Sequence, residues 1–573
     1  MRGAQFSGSM QLIMPADTAS TSLSPRTLLI AVLFGLACAL ALNIPSFVAM
    51  YEGTFALAHL GLQVKGSGDE AYYAALIRDV AEGFIGIGNV SSFEHRYAQS
   101  VIGYAPLLQG ALLWLLGWQV ITAVFMGDLL FPFLAGFITY LLMRRCETDE
   151  LTAFLGAAAI IAWKGGGWLR TFSPQITGVL FLGALLTVFF VGRKSAAVRG
   201  VLIGALLVTQ PTYAAFLLIA EGLFFCVRWK KENFLSAIRA HAPVIIIVLV
   251  VIMLRLFLAV SDPDALALAD TYRRLGLIPS HLPTAPRLQI IVVVVFLIQQ
   301  TVAWRFLASS RIDRIVLPVL LSTSLLALWI SLFLGVDGNF GLYYDFPIRC
   351  ILWLTVFRTM YLVLPKWPRV IASAVLAFIF ILIAGRQMPQ PETIVPSVSD
   401  LEQVLSSLTA SEPLRIVAAP LEVSNFVPVF TPHYTLFTQY AHYQYATDRE
   451  LAERYLTLHG LFPLDPMYTV EGDPLVFGLY AGNLSARTRT WCRLLVTAKL
   501  SDGPCNQRLE DFIYHQDVRE FMDVGTVDTV AMLRKYAVNT IITEKPLPPH
   551  VASSCTTLTQ SAPYTIYDCD FDR

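Results

Sequence analysis

Long apolar runs, each bounded by polar or basic clusters, dominate the first 387 residues of the chain. The first run, TLLIAVLFGLACALALNIPSFVAM at 27–50, is longer than the roughly 20 residues that a membrane-spanning helix needs. A cleaved signal has an apolar core of only about 7–15 residues, so we interpret this run as a retained first helix. The alternative is cleavage within its Ala-Cys-Ala-Leu-Ala stretch. The further runs lie at 119–143, 151–163, 175–192, 200–228, 243–261, 289–306, 315–335, 347–364 and 369–385.

The run at 200–228 is too long for one simple span, and it is interrupted by Thr209-Gln210-Pro211. Proline removes a backbone donor and breaks or kinks a helix, so this run predicts two short helices that enter and leave by the same face. The predicted fold class is therefore a polytopic α-helical membrane protein with about 11 membrane segments. The shorter apolar stretch at 101–117 contains Pro106 and predicts an interfacial helix.

Charge gives the predicted topology. Basic residues cluster in the loops near 144–145, 193–199, 228–231, 305–314 and 366–369. Cytoplasmic loops of membrane proteins carry an excess of Lys and Arg, so we expect these loops and residues 1–25, a short N-terminal tail, in the cytoplasm. The predicted membrane domain spans 26–387, and its first outer loop spans 51–118. We also expect an outer position for 164–174, 262–288, 336–346 and everything after about 387.

Composition agrees with this class of protein. The chain is 55% hydrophobic and 14% charged, whereas a soluble domain is about 25% charged. Its formal net charge is zero, which provides no basic surface of the kind that binds nucleic acid, so we exclude that class of partner.

The C-terminal part differs in kind from the rest. After the proline-rich linker PQPETIVPSVSD, the segments RIVAAP, YTLFT and NTIITEK predict strands, and ELAERYLTLHGLF and VDTVAMLRKYAV predict helices. Strands that alternate with helices predict a small α/β domain over 388–573, on the extracytoplasmic side.

Half of the eight cysteines lie in this tail: Cys492, Cys505, Cys555 and Cys569. An even number in an outer domain indicates disulfides, and we expect Cys492–Cys505 and Cys555–Cys569 because each pair closes a short loop. A zinc site is the alternative, although the spacing lacks a C-x-x-C knuckle.

An acidic pair, Asp69 and Glu70, opens the segment GSGDEAYYAALIRDVAEG at 66–83. Ser67 and Glu70 fit the capping box S-x-x-E, so Glu70 has a structural explanation as a helix start. The capping box does not need Asp69, whose charge is favoured at the positive end of that helix. An ionised carboxylate there suits a group that orients a hydroxyl or accepts its proton. The same field makes Asp69 a weaker base, which places more weight on orientation.

This segment, continued by GFIGIGNVSSFEHRYAQS at 83–100, resembles the first-loop signature of the GT-C glycosyltransferases. These membrane enzymes take sugars from polyprenyl-phosphate carriers and include protein mannosyltransferases and aminoarabinose transferases. RTFSPQITGVLFL, TQPTY, YYDFPIRCILW and LRKYAVNTIITEK are similar to later pieces of such enzymes. The resemblance implies that Asp69 is catalytic, with Glu70 beside it, and that Arg349 meets the carrier phosphate.

Three other polar residues are candidates for substrate binding. Glu94 and His95 follow in the same loop, where a carboxylate and an imidazole suit a phosphate or a divalent metal. No compact ligand set accompanies them, so we assign no metal and no certain cofactor, and a divalent ion stays possible. Arg170 lies in the next outer loop and could join Arg349 on the phosphate. For Glu94 and His95 the alternative is a solvated polar turn, and for Arg349 it is an interfacial arginine that extends to the lipid headgroups.

The expected function is an inverting transfer of a hexose or pentose from a polyprenyl-phosphate donor to an acceptor hydroxyl of a lipid, glycan or protein. The expected location is the inner membrane of a bacterium, with the tail in the periplasm, where the enzyme would serve the cell envelope. The alternatives are a transporter or flippase of envelope glycolipids, and a non-catalytic membrane scaffold that displays the tail domain. Against a transporter, no clear internal repeat is visible, and few charged residues lie inside the apolar runs.

Overall fold

A helical bundle and a small mixed sheet make up the computed structural model of the protein. The model describes residues 24–44, 47, 51, 70–81, 110, 115–116, 120–146, 148–168, 172–190, 192–259, 267, 270–271, 277–279, 285–305, 310–334, 336–338, 343–387, 404–408, 414–438, 445–462, 527–561 and 563–572.

A helix lies in each predicted membrane segment. In chain order the elements up to the linker are α1 (Pro25–Leu42), α2 (Glu70–Ala81), α3 (Val120–Arg145), α4 (Glu150–Trp168), α5 (Phe172–Val188), α6 (Arg193–Thr209), α7 (Pro211–Lys231), α8 (Phe234–Ala259), β1 (Leu277–Pro279), α9 (Pro286–Arg305), a π-helical turn (Ile312–Val316), α10 (Leu317–Leu328), α11 (Ile330–Leu334), β2 (Val336–Gly338), α12 (Asp345–Val363) and α13 (Lys366–Gln387).

Seven of the described helices, namely α1, α3, α7, α8, α9, α12 and α13, are long and apolar enough to cross a membrane. Their outer faces are apolar too, with exposed leucine, isoleucine and phenylalanine side chains along α8, α9 and α13. This is the pattern of a polytopic helical membrane protein, because only lipid makes such a surface favourable. The full count of about 11 membrane segments stays a prediction.

The chain folds back at the proline break. Arg199 on α6 donates a hydrogen bond from Nε to Oε1 of Glu221 on α7. Arg199 lies 11 positions before Gln210 in the sequence, and Glu221 lies 11 positions after it. In a continuous helix they would lie roughly 33 Å apart, at 1.5 Å of rise per residue. The two helices therefore form an antiparallel hairpin, with its apex at Gln210.

Small residues let α1 and α3 approach closely. A Cβ placed on Gly35 would lie 2.7 Å from the carbonyl oxygen of Phe133, and one on Gly136 would lie 2.8 Å from Cys38 Sγ. Without a hydrophobic driving force between helices in lipid, such close backbone packing is what holds spans together.

Buried ion pairs join the bundle at the end where α3 stops. Arg358 of α12 meets Asp313 in the π-helical turn with two hydrogen bonds, Nε–Oδ1 at 3.0 Å and Nη2–Oδ2 at 2.5 Å. Its Nη1 donates to the carbonyl oxygen of Cys146 at 3.0 Å. This single guanidinium thus connects the end of α3 with the π-helical turn before α10 and with α12.

The tail contains a sheet of five strands. Its described elements are β3 (Ile416–Ala418), α14 (Leu421–Ser424), α15 (Val427–Phe430), β4 (Tyr434–Thr435), α16 (Asp448–Leu461), α17 (Thr529–Lys535), β5 (Thr540–Thr543), α18 (Pro549–Ala552), β6 (Cys555–Ser561) and β7 (Tyr564–Cys569). The strand order is β4-β3-β5-β7-β6, in which the first two pairings are parallel and the last two are antiparallel. The three predicted strands and two predicted helices of the tail are all present.

The hairpin of β6 and β7 was not among the predicted elements. The predicted Cys555–Cys569 disulfide joins these two strands. The available signal for β7 was the alternation of apolar and polar side chains in Tyr564–Cys569, in which Tyr564 and Ile566 are buried and Thr565 is not.

The sheet is covered on both faces, as the alternation of its side chains requires. Ile416 and Ile541 lie in one apolar cluster with α16 and α17. Val417 and Ile542 lie in a second cluster on the opposite face. That second cluster contains α2, so a helix from the first predicted outer loop completes the core of the tail domain.

Candidate functional site

The helix α2 begins at Glu70, directly after Asp69, and it is buried on all sides. Ala71, Ala74 and Ala75 are as fully buried as Leu76 and Ile77. A helix at a surface would expose Arg78 and Asp79 to solvent on a polar face. In the structure these two side chains are only 12% and 10% exposed and lie 3.7 Å apart as an ion pair.

The tail domain packs on one side of α2. Its contribution to the shared apolar cluster comes from the segment 404–408, from β3, β5 and β7, and from α14 and α15. Because a helix that is buried all round is fixed by packing rather than by solvent, the position of its first turn depends on the tail.

The helical bundle packs against α2 through α3 and α5, and Val120 at the start of α3 lies against the shared apolar cluster. Gly110, from the same predicted outer loop as α2, also approaches this helix closely: a Cβ at this position would lie 2.5 Å from Cβ of Val80 and 2.9 Å from the carbonyl oxygen of Ile77. The helix that opens at the acidic pair is therefore held between the end of the bundle and the tail sheet.

A second contact fixes the tail at this end of the bundle. The backbone N–H of Asp448, the first residue of α16, donates to Oδ2 of Asp270 at 3.0 Å. Both residues are buried. Asp270 belongs to the predicted outer loop 262–288, whose strand β1 pairs with β2 from the next predicted outer loop. Segments from three predicted outer loops and the tail thus meet at one end of the molecule.

A buried polar cluster joins the end of α1 with α3 and α5, the two helices that contact α2. Asp128 of α3 accepts a hydrogen bond at Oδ1 from Nε2 of Gln175 on α5. Its carbonyl oxygen accepts another at 2.7 Å from Nδ2 of Asn43, at the end of α1. Polar groups inside a membrane bundle are costly and usually mark a functional region. None of these three residues was predicted as a site residue, although Gln175 lies in the segment RTFSPQITGVLFL, which is similar to a piece of the GT-C enzymes.

Arg349 lies in the first turns of α12 and is partly exposed, at 34% of its side chain. Its Nε donates to Oδ1 of Asp345 at 2.5 Å. Its guanidinium lies over the ring of Trp163, with 5.1 Å between Cζ and the ring centroid. An arginine held by a carboxylate and an aromatic face is pre-oriented, which suits it to bind a planar pair of phosphate oxygens.

Contacts along α5 connect Arg349 with the polar cluster. Phe346, one turn before Arg349, lies 6.1 Å from Phe181 between ring centroids, and it also approaches Gly178. Gly178 stands one turn after Gln175, the partner of Asp128. One end of the bundle therefore contains Arg349, the cluster around Asp128 and the start of α2.

The apex of the proline hairpin enters this region too. Tyr213, which ends the motif TQPTY, is fully buried and stacks on Phe346 at 6.2 Å between ring centroids. Tyr344 is also fully buried and lies against Phe216. Sequence reasoning recognised the break in the helix but not its packing against the helix that carries Arg349.

Several predicted site residues fall outside the described part of the chain, namely Asp69, Glu94, His95, Arg170, Cys492 and Cys505. Glu70 is the first residue of α2, and its side chain is outside the description as well. Within the described ranges, no group of three or more His, Cys, Asp and Glu side chains is placed to hold a metal ion.

The sequence matches no protein-family model and has no significant match to a curated protein. The functional assignment of this site therefore rests on its geometry and chemistry.

Proposed function

We propose that this protein is an inverting membrane glycosyltransferase of the GT-C type, which transfers a sugar from a polyprenyl-phosphate carrier to an acceptor hydroxyl on the outer face of a bacterial inner membrane. Asp69 orients the acceptor and takes its proton, and Arg349 binds the donor phosphate. Glu70 fixes the start of α2.

One observation carries the proposal. The helix α2, which follows the acidic pair, is packed between the bundle and the tail sheet, and it contacts α5, whose Phe181 packs against Phe346 near Arg349. An exposed loop carrying a lone acidic pair would need no such enclosure. Holding a catalytic group in one orientation accelerates a reaction between bound partners, and it requires rigid support of this kind.

The environment of Arg349 supports a role on the phosphate. Asp345 uses the Nε–H, so the two terminal amino groups are the donors that remain for paired hydrogen bonds to phosphate oxygens. The leaving phosphate gains negative charge as the bond to the sugar breaks, and a fixed guanidinium stabilises that charge.

The reaction is balanced without any further reactant. The acceptor oxygen forms a bond to the anomeric carbon on the side opposite the phosphate, and the carbon–oxygen bond to the phosphate breaks. Asp69 takes the acceptor proton, and the polyprenyl phosphate leaves with the bonding electron pair. A single displacement of this kind inverts the anomeric centre.

A glycolipid transporter is the second candidate function, and one observation favours it. Within the α6–α7 hairpin, Glu221 pairs with Arg199 and also accepts a hydrogen bond from His241 Nδ1 at 2.7 Å. Buried charges in membrane helices are typical of transport pathways. A transporter moves the intact glycolipid, whereas the proposed enzyme breaks its sugar–phosphate bond.

The experiment that separates the two functions uses purified full-length protein in liposomes with polyprenyl-phosphate sugars labelled in the sugar, together with a fraction of bacterial envelope lipids, glycans and proteins that supplies the acceptor hydroxyl. For a transferase, label leaves the lipid carrier, and polyprenyl phosphate appears in equal amount. If label crosses the bilayer while it remains on the carrier, the protein is a transporter and the proposal fails.

A further inference from the structure

A large cavity opens at the other end of the bundle from the candidate site. Its volume is about 1060 Å³. It lies between the turn from α5 to α6, the turn from α7 to α8 and the π-helical turn before α10. The apex of the hairpin, at Gln210, lies near Arg349, whereas the cavity lies at the open ends of the hairpin. The 17 residues of α6 separate the two regions by roughly 25 Å, at 1.5 Å per residue.

The walls of this cavity are strongly basic. The basic residues that line it are Arg193, Arg199, Arg228, Lys231, Arg239 and Arg311. Glu232 is the one acidic residue among the lining side chains, and Arg228 already pairs with it at 3.0 Å. A hydrogen bond from the Ser236 hydroxyl, and then the hydrogen bond and positive charge of Arg228, lower the pKa of Glu232, so this carboxylate stays ionised and occupied by its partners. The cavity therefore keeps a large excess of positive charge.

Three of the lining cations are exposed, and none of them pairs with an acidic group in the part of the chain that the structure describes: Arg193, Lys231 and Arg239. Like charges gathered around one space repel each other, which makes an anion the favourable occupant. A guanidinium or an ammonium binds phosphate through charge-assisted hydrogen bonds.

The inner wall is rigid. Arg199 donates to Glu221 and, from Nη1, to the carbonyl oxygen of Thr187 at 3.2 Å. Glu221 also binds His241, which lines the cavity from α8. This buried triad holds three helices in fixed positions behind the basic residues, so the space does not depend on flexible side chains alone.

Apolar side chains stand beside the opening. Phe234 and Leu235 line the cavity, and they are 49% and 64% exposed. Trp229 contacts Phe234 with 5.4 Å between ring centroids and is half-exposed as well. A basic space with an apolar edge matches a ligand that has a phosphate headgroup and hydrocarbon chains, and basic pockets between membrane helices are known places for such headgroups.

We propose that this cavity binds the phosphate group of an anionic lipid, at a site separate from the candidate active site. The recognised chemistry is the phosphate, and the apolar edge favours a lipid over free phosphate as its source. The proposal holds whether or not the protein transfers sugars.

The chain provides matched control residues for the test. Arg193 and Lys231 line the cavity, whereas their sequence neighbours Lys194 and Lys230 do not, and all four are exposed. The double variants Arg193→Gln/Lys231→Gln and Lys194→Gln/Lys230→Gln remove the same charge from the same two helix ends. Binding is measured by calorimetry on the full-length protein in a neutral detergent, with dioctanoyl phosphatidate, dioctanoyl phosphatidylcholine and inorganic phosphate as separate probes.

We expect phosphatidate to bind the wild-type protein at one site, and phosphatidylcholine to bind at least about tenfold more weakly because its cationic choline opposes the basic walls. The dissociation constant of phosphatidate should be at least about tenfold higher for Arg193→Gln/Lys231→Gln than for the control variant, since the first variant loses two charge-assisted contacts. Weak binding of inorganic phosphate that is lost in the same variant also supports the site.

Three results would overturn the proposal. Equal binding of the two lipids shows that only the acyl chains are recognised. Equal losses in the two double variants show a general surface-charge effect. Binding of inorganic phosphate without any binding of phosphatidate excludes the lipid. The comparison of the two lipids on wild-type protein decides the matter even where a variant does not fold.

Discussion

Arg349 and Asp345 form an ion pair within the first turn of α12, with Nε and Oδ1 2.5 Å apart. The carboxylate fixes one edge of the guanidinium, and Trp163 covers one of its faces. The proposed donor phosphate would therefore meet the two terminal amino groups of an arginine that is already oriented.

This arrangement predicts that binding of the donor phosphate requires the guanidinium group of Arg349 and that a positive charge alone is not sufficient. Arg349→Lys keeps the positive charge but loses the fork of parallel donors, so kcat/KM for the polyprenyl-phosphate donor should fall about tenfold or more, mainly through a higher KM. Steady-state kinetics with varied donor concentration measures this effect.

Arg287→Lys is the matched control for Arg349→Lys. Arg287 lies in the first turn of α9 and is exposed. Its replacement should leave kcat/KM unchanged. Equal losses in the two variants, or none in either, would remove Arg349 from the donor site.

Packing of α2 against Gly110 gives a second prediction. Gly110→Ala places a methyl group within 3.0 Å of Val80 and of the Ile77 backbone, so α2 has to shift. A displacement of about 1 Å in a positioned catalytic group costs roughly a hundredfold in rate, and we expect a loss of about tenfold to a hundredfold in kcat. Gly222→Ala is the control, because nothing lies within 4 Å of the added Cβ. Full activity in Gly110→Ala would show that the position of α2 does not matter for transfer.

The shared apolar cluster predicts that a substitution in the first loop destabilises the tail. Leu76 is fully buried in that cluster, and Leu76→Ala should lower the free energy of unfolding of the tail sheet by about 2–5 kcal/mol. Hydrogen exchange of the amides in β5 and β7 measures the change. Leu414→Ala, at a residue that is 51% exposed beside β3, should change it by less than about 0.5 kcal/mol. If exchange in the two strands is unaffected by Leu76→Ala, the sheet does not rely on α2.

His433 makes the stability of the tail depend on pH. Its Nδ1 accepts a hydrogen bond from the backbone N–H of Arg415 at 3.2 Å, and its Nε2 lies 2.9 Å from the carbonyl oxygen of Leu408. Burial, and then the positive charges of Arg415 and Arg78, lower the pKa of His433 below its ordinary value of 6.5.

Below pH 6.5 His433 is therefore protonated in the unfolded chain, whereas it stays neutral in the folded tail down to its lower pKa. The stabilisation is complete above pH 6.5 and is lost as the pH falls from 6.5 through the lower pKa of the folded state. The free energy of unfolding of the tail, measured by hydrogen exchange at increasing denaturant concentration, should decrease below pH 6.5. His433→Gln does not titrate, so its profile should be flatter in that range. An unchanged slope in this variant would assign the pH dependence to other groups.

The membrane helices were predictable because each has a strong local signal, and so were three of the five described strands of the tail and its two longest described helices. Apolar length identified the helices, Pro211 marked the hairpin, and β-branched runs such as that in β5 marked strands. The capping box of Ser67 and Glu70 predicted the start of α2.

The packing of α2 was not predictable. Nothing local indicates that Arg78 and Asp79 would be buried, because the tail residues that cover α2 lie more than 300 positions later in the chain. Likewise, Asn43, Asp128 and Gln175 come from three separate helices, and their cluster exists only once those helices pack. A sequence pattern reports the face of one element, whereas a site assembled from several elements depends on tertiary contacts.

The central claim is that Asp69 acts on the acceptor, and its most direct test compares Asp69→Asn with Glu70→Gln. Transfer of labelled sugar from polyprenyl phosphate is followed in purified full-length protein, and hydrogen exchange of β5 and β7 confirms that both variants fold. We expect Asp69→Asn to be folded and to lose transfer by a factor of about 100 or more, the usual contribution of a positioned acid–base group, while Glu70→Gln retains most of it. Normal transfer by a folded Asp69→Asn protein would contradict the account.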